Sequence, residues 1–476
     1  MKNIYQSTAF LDKRACEKYQ LSPEILMENA ACALETLIGT LTHKGSVITI
    51  LCGSGDNGGD GYALARRLSG DYAVRIMQLK EPKSPLCQQA YERTMQCDVK
   101  FIKKILPCDV MVDCVVGSGL RGNLESSLSD VLKNAQKAAR INIACDIPSG
   151  LNESNDGFVF KAHHTICMGA ISLVCLSDKA KDFVGTLHIG KLGLSESHYQ
   201  VSSNIKMLES CDLSLPQRIQ ENTHKGNFGH LAVFAGEKCG AAIMSAQSAL
   251  SFGAGLVSII SDENITIPSE IIQEHTLPQK STALALGMGL GVEKSAEILK
   301  DLCESSLSCV LDADVFHTPI IKTFLDESLK QQRLDFIREI ILTPHPKEFA
   351  SLLQICDLGA YTPQKKLDLM LHFTQKYPHT TLVLKGANVF IAKAQEVYIN
   401  PLGSNALAKG GSGDVLSGLI GALLAQGYGA LHSAIQGSLA HTLAAKAALK
   451  HIASYALTPH TLIESIRTLH ISQRIK

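Results

Sequence analysis

Val47-Ile48-Thr49-Ile50-Leu51, then Gly53-Ser54-Gly55-Asp56-Asn57-Gly58-Gly59-Asp60-Gly61, then the helical run Tyr62–Leu68 follow one another almost without interruption. An apolar run of strand length, a glycine loop and an amphipathic stretch form the opening half of a βαβ unit. The pattern continues outward with Val74-Arg75-Ile76-Met77, Asp109-Val110-Met111-Val112 and Ile141-Asn142-Ile143-Ala144, each separated from the next by a helical stretch. Residues 46–190 therefore read as an α/β fold around a parallel sheet. Upstream, Leu26-Met27-Glu28-Asn29-Ala30-Ala31 predicts a helix covering one face.

Between Ser202 and Glu221 the periodicity fades into a polar passage containing Ser210, Ser214, Pro216 and Gln217, and the next strand is expected at His230-Leu231-Ala232-Val233-Phe234. This places a domain boundary near residue 215, with domains 1–214 and 215–476. The second half repeats the alternation with Ala283–Leu286, Ser308–Leu311, Ile340–Leu342 and Thr381–Leu384, and closes in glycine- and alanine-rich helices between Gly413 and Leu449. Two three-layer αβα domains are the expected architecture, and no internal repeat suggests a solenoid.

Composition narrows the class. Lysine plus arginine and aspartate plus glutamate each count 45, so the basic footprint of a nucleic-acid or anionic-membrane binder is missing. The 15 cysteines form no CxxC pair and many lie in apolar runs, as at Cys52, Cys114 and Cys145, which reads as reduced core residues. No apolar stretch reaches membrane-spanning length and no signal-peptide pattern opens the chain, so a cytoplasmic enzyme is expected.

The first half carries three acidic loops at strand ends. Gly53–Gly58 satisfies GxGxxG, whose glycines let backbone amides approach a pyrophosphate. Asp56 and Asp60 would repel a pyrophosphate pressed onto that loop, whereas they suit hydroxyl groups or a cation. Asp113 and Asp146 each end an apolar run and are expected at the carboxyl edge of the sheet, where open α/β folds bind ligands. Asp113 leads to Gly117-Ser118-Gly119-Leu120-Arg121-Gly122, able to wrap a phosphate, and Asp146 to Ile147-Pro148-Ser149-Gly150. Any one such aspartate is more often a turn or cap residue. Three in register carry more weight.

These three loops resemble the signatures of the NAD(P)H-hydrate epimerase family, over about residues 1–200. The resemblance implies a Rossmann-like domain in which Asp56, Asn57, Gly58, Gly59 and Asp60, with Gly117, Ser118, Gly119, Leu120, Arg121, Gly122 and Asn123, hold the hydrated dinucleotide. It also implies that Asn57, Asp113 and Ser149 ligate a potassium ion. Asp146 is implied as a substrate contact, and as the acid/base, because inversion at C6 of the hydrated ring needs proton transfer beside a stabilised charge. Asp56 departs from the family's more usual asparagine.

In the second half, Lys409-Gly410-Gly411-Ser412-Gly413-Asp414 opens a long helix of small residues. Glycines before a helix expose amides that can hold a transferring phosphoryl group, and an aspartate in its first turn can take a proton from an attacking hydroxyl. The plain alternative is an Asp near a helix start after a glycine turn. Four further segments favour a site: His224–Gly229, Gly240-Ala241-Ala242, Gly287-Met288-Gly289-Leu290-Gly291 and Thr343-Pro344-His345-Pro346-Lys347-Glu348, with Lys385-Gly386 ending another run. A lone His345 is more often a capping or packing residue than a ligand.

Together with Leu311-Asp312-Ala313-Asp314, these segments resemble the ribokinase-like family, and within it the ADP- or ATP-dependent NAD(P)H-hydrate dehydratases, over about residues 220–470. The resemblance implies that Ala241, Gly289, His345 and Asp414 touch the hydrated dinucleotide. Lys385, Gly386, Ala387, Asn388, Val389 and Gly413 are implied in binding ADP with magnesium, and Asp414 in deprotonating the C6 hydroxyl. Gly287-Met288-Gly289 stands where the family commonly has Gly-Pro-Gly.

The implied whole is an enzyme of NADHX, NADPHX and ADP that joins isomerase and lyase activities, without nucleic-acid or membrane partners, and a homo-oligomer. Two alternatives stay open: a ribokinase-like vitamin-precursor kinase carrying an N-terminal binding module, and an NAD-dependent dehydrogenase resting on GxGxxG alone.

Overall fold

A computed structural model describes residues 1–120, 122–152, 157–332 and 338–469. The chain parts into two compact units, one of Asn3–Ser203 and one of Asn204–Lys476 that also includes Met1 and Lys2. Residues 204–214 go with the second unit for a local reason. Ile205–Met207 is a short strand paired with Val397–Ile399, and Leu208 and Leu213 enter the second unit's core. A three-residue strand inside a polar passage leaves no readable period.

In the first unit, seven parallel strands run in the order Lys100–Phe101, Ala73–Gln78, Val47–Cys52, Cys108–Cys114, Ala139–Cys145, His164–Met168 and Thr186–Gly190. The chain winds outward from Val47–Cys52, then returns to its other side, so the order reverses between Cys52 and Cys114, which are register partners. Such a switch point opens a crevice at the carboxyl ends. Alternate side chains split into two cores. Ile48, Ile50 and Cys52 pack with the helices Pro23–Leu41, Asp56–Leu68 and Pro85–Thr94, while Leu51 and Met111 pack with Ser126–Lys137.

The helix Asp56–Leu68 begins inside the glycine loop, six residues before the run expected from periodicity. Its glycines cost helix propensity, and close packing explains them. A Cβ on Gly58 would lie 2.2 Å from the Gly53 carbonyl oxygen, one on Gly59 2.5 Å from Met27 Cε, and one on Gly61 2.8 Å from Cys114 Cβ. They let the helix start seat directly on the strand ends.

In the second unit the parallel order is Ile272–Glu274, Leu256–Ile260, His230–Phe234, Ala283–Leu286, Ser308–Leu311, Ile340–Leu342 and Thr380–Leu384. An antiparallel hairpin, Val389–Lys393 with Glu396–Asn400, extends that edge. The order again reverses once, between His230–Phe234 and Ala283–Leu286. Leu231, Val233, Ala285 and Val310 pack under the helices Cys239–Ser251, Ser412–Ala425 and Ala430–Ala448, and Leu284, Leu286, Cys309 and Leu311 are buried on the opposite face.

The helix Ser412–Ala425 sits tightly on Cys239–Ser251. A Cβ on Gly418 would come 2.1 Å from the Ser245 carbonyl oxygen and the Ser248 Oγ, and the Ser248 hydroxyl donates to the Val415 carbonyl at 3.0 Å. This contact fixes the height of the helix start that carries Asp414. The described cysteines are all free thiols. Among the described residues, no helix is long and apolar enough to cross a membrane.

Candidate active sites

In the first unit, the three acidic loops meet at the switch point but do different jobs. Asp113 is fully buried; its Oδ1 accepts the Ser149 hydroxyl at 2.6 Å and the Val115 amide at 3.2 Å, and its Oδ2 accepts the Ser149 amide at 2.8 Å. Burial pushes its carboxyl up to about 6 against those hydrogen bonds. Asp113 thus lies under the site rather than in its open face, which corrects the expectation that all the strand-end carboxylates are presented together.

Asp146 is less deeply buried than Asp113. Its backbone takes the left-handed conformation, φ 64°, while its amide continues the ladder to the Ile166 carbonyl at 2.8 Å. That conformation is uncommon for a residue with a Cβ, and here the ladder and neighbouring loops impose it. It turns the carboxyl toward the Asp113 loop, where Oδ2 accepts the Ser118 amide at 3.3 Å. Burial raises the Asp146 carboxyl above the usual range, and Asp60 is raised further, first by burial and then by the charge of Asp146. A Cβ on Gly117 would lie 3.0 Å from Asp146 Oδ2 and 3.6 Å from Asn57 Cγ, so the three loops touch there.

Asn57 occupies the helix start, and both polar atoms of its carboxamide are buried without a hydrogen-bond partner among the described residues. Such a group costs free energy unless something pairs with it. Asp56 is exposed, Gly58 and Gly59 are buried, and Ser118, Gly119, Gly122 and Asn123 are exposed, with Leu120 partly so. Asn152 holds that loop through a hydrogen bond to the Gly122 carbonyl at 2.8 Å. Arg121 lies outside the described residues.

In the second unit, strand register places Gly287, Asp312 and Thr343 side by side just beyond Leu286, Leu311 and Leu342. Gly287 has φ 110°, and a Cβ there would lie 1.9 Å from the Asp312 carbonyl oxygen. Gly287→Ala is therefore expected to destabilise this unit by about 2–4 kcal/mol, read as a lowered thermal midpoint with the first unit's transition unmoved. Gly289, φ 63°, approaches Ala241: a Cβ would come 3.2 Å from the Ala241 Cβ, and the Gly289 carbonyl accepts the Lys238 amide at 2.9 Å. Met288 between these glycines is buried in the core.

Lys385 is the centre of the polar network. Its ammonium donates to Asp312 Oδ1 at 2.7 Å and lies 3.8 Å from Glu348 Oε2. Asp312 is 2% exposed, and its Oδ2 accepts the Ser417 hydroxyl at 2.7 Å. Burial alone would lower the Lys385 ammonium, but Asp312 and then Glu348 outweigh it and hold the charge. The Lys385 Nζ lies 3.5 Å from where a Gly413 Cβ would stand, so the charge sits at the glycine turn opening Ser412–Ala425. Asp414, in the first turn, has its carboxyl raised to about 6 by burial and by Asp312, with Lys385 opposing.

His345 divides its ring. Nδ1 accepts the amides of Lys347 and Glu348 at 3.1 and 3.2 Å, so the proton is on Nε2 and faces Glu348 Oε1 at 3.2 Å. The ring is a helix cap at the rim, 47% exposed. Gly386 and Ala387 are exposed in the hairpin approach, Asn388 is buried and Val389 partly buried. The segment His224–Gly229 is not brought to this edge. It precedes its strand, and the Gly255 and Leu256 amides donate to the Phe228 and Gly229 carbonyls at the opposite, amino-terminal end. Asp312 and Ser417 were missed as site residues; the signal for Asp312 was its place at the end of an apolar run.

Two family models match. Residues 23–173 match the YjeF-related protein N-terminus, and residues 231–468 match NAD(P)H-hydrate dehydratase. A bifunctional NAD(P)H-hydrate repair enzyme Nnr of Helicobacter pylori is 45% identical over 98% of this chain and 100% of its own length. The enzyme of the same name from Coxiella burnetii is 31% identical over 98% and 99%. An ADP/ATP-dependent NAD(P)H-hydrate dehydratase structure from Bacillus subtilis, co-crystallised with ATP and Mg2+, aligns at 23% identity and a TM-score of 0.46, covering 56% of this chain and 97% of that one.

Proposed function

Because the chain belongs to the family of bifunctional NAD(P)H-hydrate repair enzymes, we propose that its two sites act in sequence on damaged nicotinamide cofactors. The first unit interconverts the R and S hydrates of NADH and NADPH. The second dehydrates the S form back to the reduced cofactor, with ADP as phosphoryl donor. Hydration yields two epimers, and a stereospecific dehydratase alone would strand one of them.

One observation carries the dehydratase assignment: a partly buried cation, Lys385, at a glycine turn beside a carboxylate, Asp414, whose raised range suits a general base. Asp414 takes the proton of the C6 hydroxyl as that oxygen attacks the terminal phosphoryl group and AMP leaves. The C6–O bond then breaks, phosphate departs, and loss of a C5 proton closes the ring double bond. Lys385 and the amides of the turn stabilise the charge on the moving phosphoryl group. Ala241, Gly289 and His345 line the side where the hydrate would lie, and Gly386, Ala387, Asn388 and Val389 the nucleotide side. Asp312 is closed off by Lys385, Ser417 and the Ala313 amide, so magnesium would be held chiefly by the nucleotide's own phosphates.

In the first unit, Asp146 is the proposed acid/base, with the loops at 56–60 and 117–123 enclosing the dinucleotide. The Asn57 carboxamide, buried without a partner among the described residues near Gly117, and the oxygens of the Asp113–Ser149 pair are the donor types that suit a monovalent cation, here potassium. Bound there, the ion would supply a fixed positive charge beside the reacting ring. A cytoplasmic, homo-oligomeric enzyme is consistent with this assignment.

The test is recovery of the reduced-nicotinamide absorbance from separated R and S hydrates, with ADP or ATP, in potassium or in a large organic cation. Recovery from both epimers with ADP, and slowed recovery from R alone without potassium, is expected. Stable phosphorylation of a vitamin precursor with no absorbance recovery would instead favour a kinase.

A further inference from the structure

A cavity of about 350 Å3 in the first unit opens between the helices Ala9–Tyr19 and Pro23–Leu41 and the glycine loop. Its lining combines apolar side chains such as Leu26, Met27 and Leu86 with Asp12, Lys13, Asp56 and Asp60. Asp60 links this cavity to the strand end already described, because its Oδ2 accepts the thiol of Cys145, the neighbour of Asp146, at 3.7 Å. A largely apolar pocket that also presents carboxyl groups suits a flat, nearly neutral ring that must exchange protons.

Asp12 is held for such a task. The Tyr199 hydroxyl donates to its Oδ1 at 2.7 Å, and its other oxygen has no partner among the described residues. Tyr199 is itself buried and seated over Gly169, where a Cβ would come 2.2 Å from the ring. Arg14, half a turn along the same helix, donates to the carbonyls of His198 and Tyr199 at 2.6 and 3.0 Å and locks the helix to that segment. The orientation of the carboxyl is thus set before any ligand enters. Burial raises Asp12 above the usual carboxylate range, and its charge acts on both Asp60 and Asp146.

The geometry points to Asp12 as a second catalytic residue of the epimerase, exchanging protons with the hydrated ring in concert with Asp146. This rests on the epimerase reading of the first unit. One carboxylate takes the C6 hydroxyl proton; the oxygen's electron pair forms a C6 carbonyl as the C6–N1 bond breaks, and the partner carboxylic acid delivers a proton to N1. Rotation about C5–C6 presents the other face. N1 then attacks C6, returning its proton to the carboxylate that supplied it, while the oxygen recovers the proton from the other. No atom or electron is gained, and no co-reactant is needed.

The experiment uses the full chain and two readouts: interconversion of R and S hydrates without nucleotide, and dehydration of the S hydrate with ADP. Asp12→Asn keeps an acceptor for Tyr199 but cannot carry a proton, whereas Tyr199→Phe removes the hydrogen bond and leaves the carboxyl. Expected for Asp12→Asn is a fall of about 100-fold or more in the epimerisation kcat, a little-changed KM, loss of one limb of the pH profile and unaltered dehydration. Tyr199→Phe should lose less than about tenfold. Asp12→Asn close to wild type, or equal losses in both variants, would reduce Asp12 to a structural partner of Tyr199 and overturn the proposal. If Asp12→Asn does not fold, Asp12→Ala with added acetate decides: restored interconversion supports the proposal and its absence overturns it. Wild-type chain that fails to interconvert the epimers defeats the epimerase reading itself, a result separable from either variant.

Discussion

Asp414→Asn lowers the kcat of ADP-driven dehydration by about 10^2–10^4-fold, the span expected when a positioned general base is lost. The asparagine keeps the volume and the helix start, so the S hydrate should still bind with a similar KM. The same chain supplies the control, because interconversion of epimers by the first unit should continue at the wild-type rate. The wild-type pH profile carries the matching signature. Burial and the charge of Asp312 set the Asp414 carboxyl at about 6, and the base works only when ionised. Activity of the free enzyme should therefore fall about tenfold per unit below pH about 6 and level off above it, and Asp414→Asn should flatten that acid limb. An unchanged acid limb in the variant would assign the base elsewhere.

Lys385→Met carries the second large effect, and it is a double one. The substitution removes the charge at the Gly413 turn, which should cost phosphoryl transfer a factor of about 10^2–10^3. It also strands Asp312, a carboxylate only 2% exposed that keeps the Ser417 hydroxyl and the Ala313 amide but no cation at hydrogen-bond distance. Breaking a buried pair from one side costs about 3–5 kcal/mol, which for a unit of this size is a drop of about 6–20 °C in its thermal midpoint. Pairing the change with Asp312→Asn should restore much of the stability and none of the activity. That non-additivity separates the structural half of the ion pair from its catalytic half, and it is read by calorimetry beside the dehydration assay.

Much of the architecture is written in local periodicity. Strand-length apolar runs alternating with helical stretches specify two parallel-sheet units, since burial of both sheet faces demands continuous apolar strands. The loops that matter were legible because glycine and aspartate at strand ends are conspicuous against that background: Asp146, the Gly117 loop and Lys385 follow the carboxyl ends of strands, and the Gly410–Asp414 turn comes to Lys385. The strand Ile205–Met207 was not legible, because three residues carry no period. Nor was the role of the glycines at 58, 59 and 61, which pack against Gly53, Met27 and Cys114.

Asp113 and Asp146 look alike in the sequence, each closing an apolar run, and only the fold tells them apart. Register buries the first against Ser149, while a left-handed backbone turns the second toward Gly117 and Ser118. His224 and His345 likewise look alike as polar punctuation, yet one lies at the amino-terminal edge of its sheet and the other caps a helix at the site. The chain's order of apolar and polar residues determined two αβα units and the chemistry available at their strand ends. The pairings Lys385 with Asp312, Asp312 with Ser417, and Asp12 with Tyr199 join residues 73, 105 and 187 positions apart. Such partners are selected by strand register and helix docking, which depend on how whole faces pack, and no local pattern records that choice.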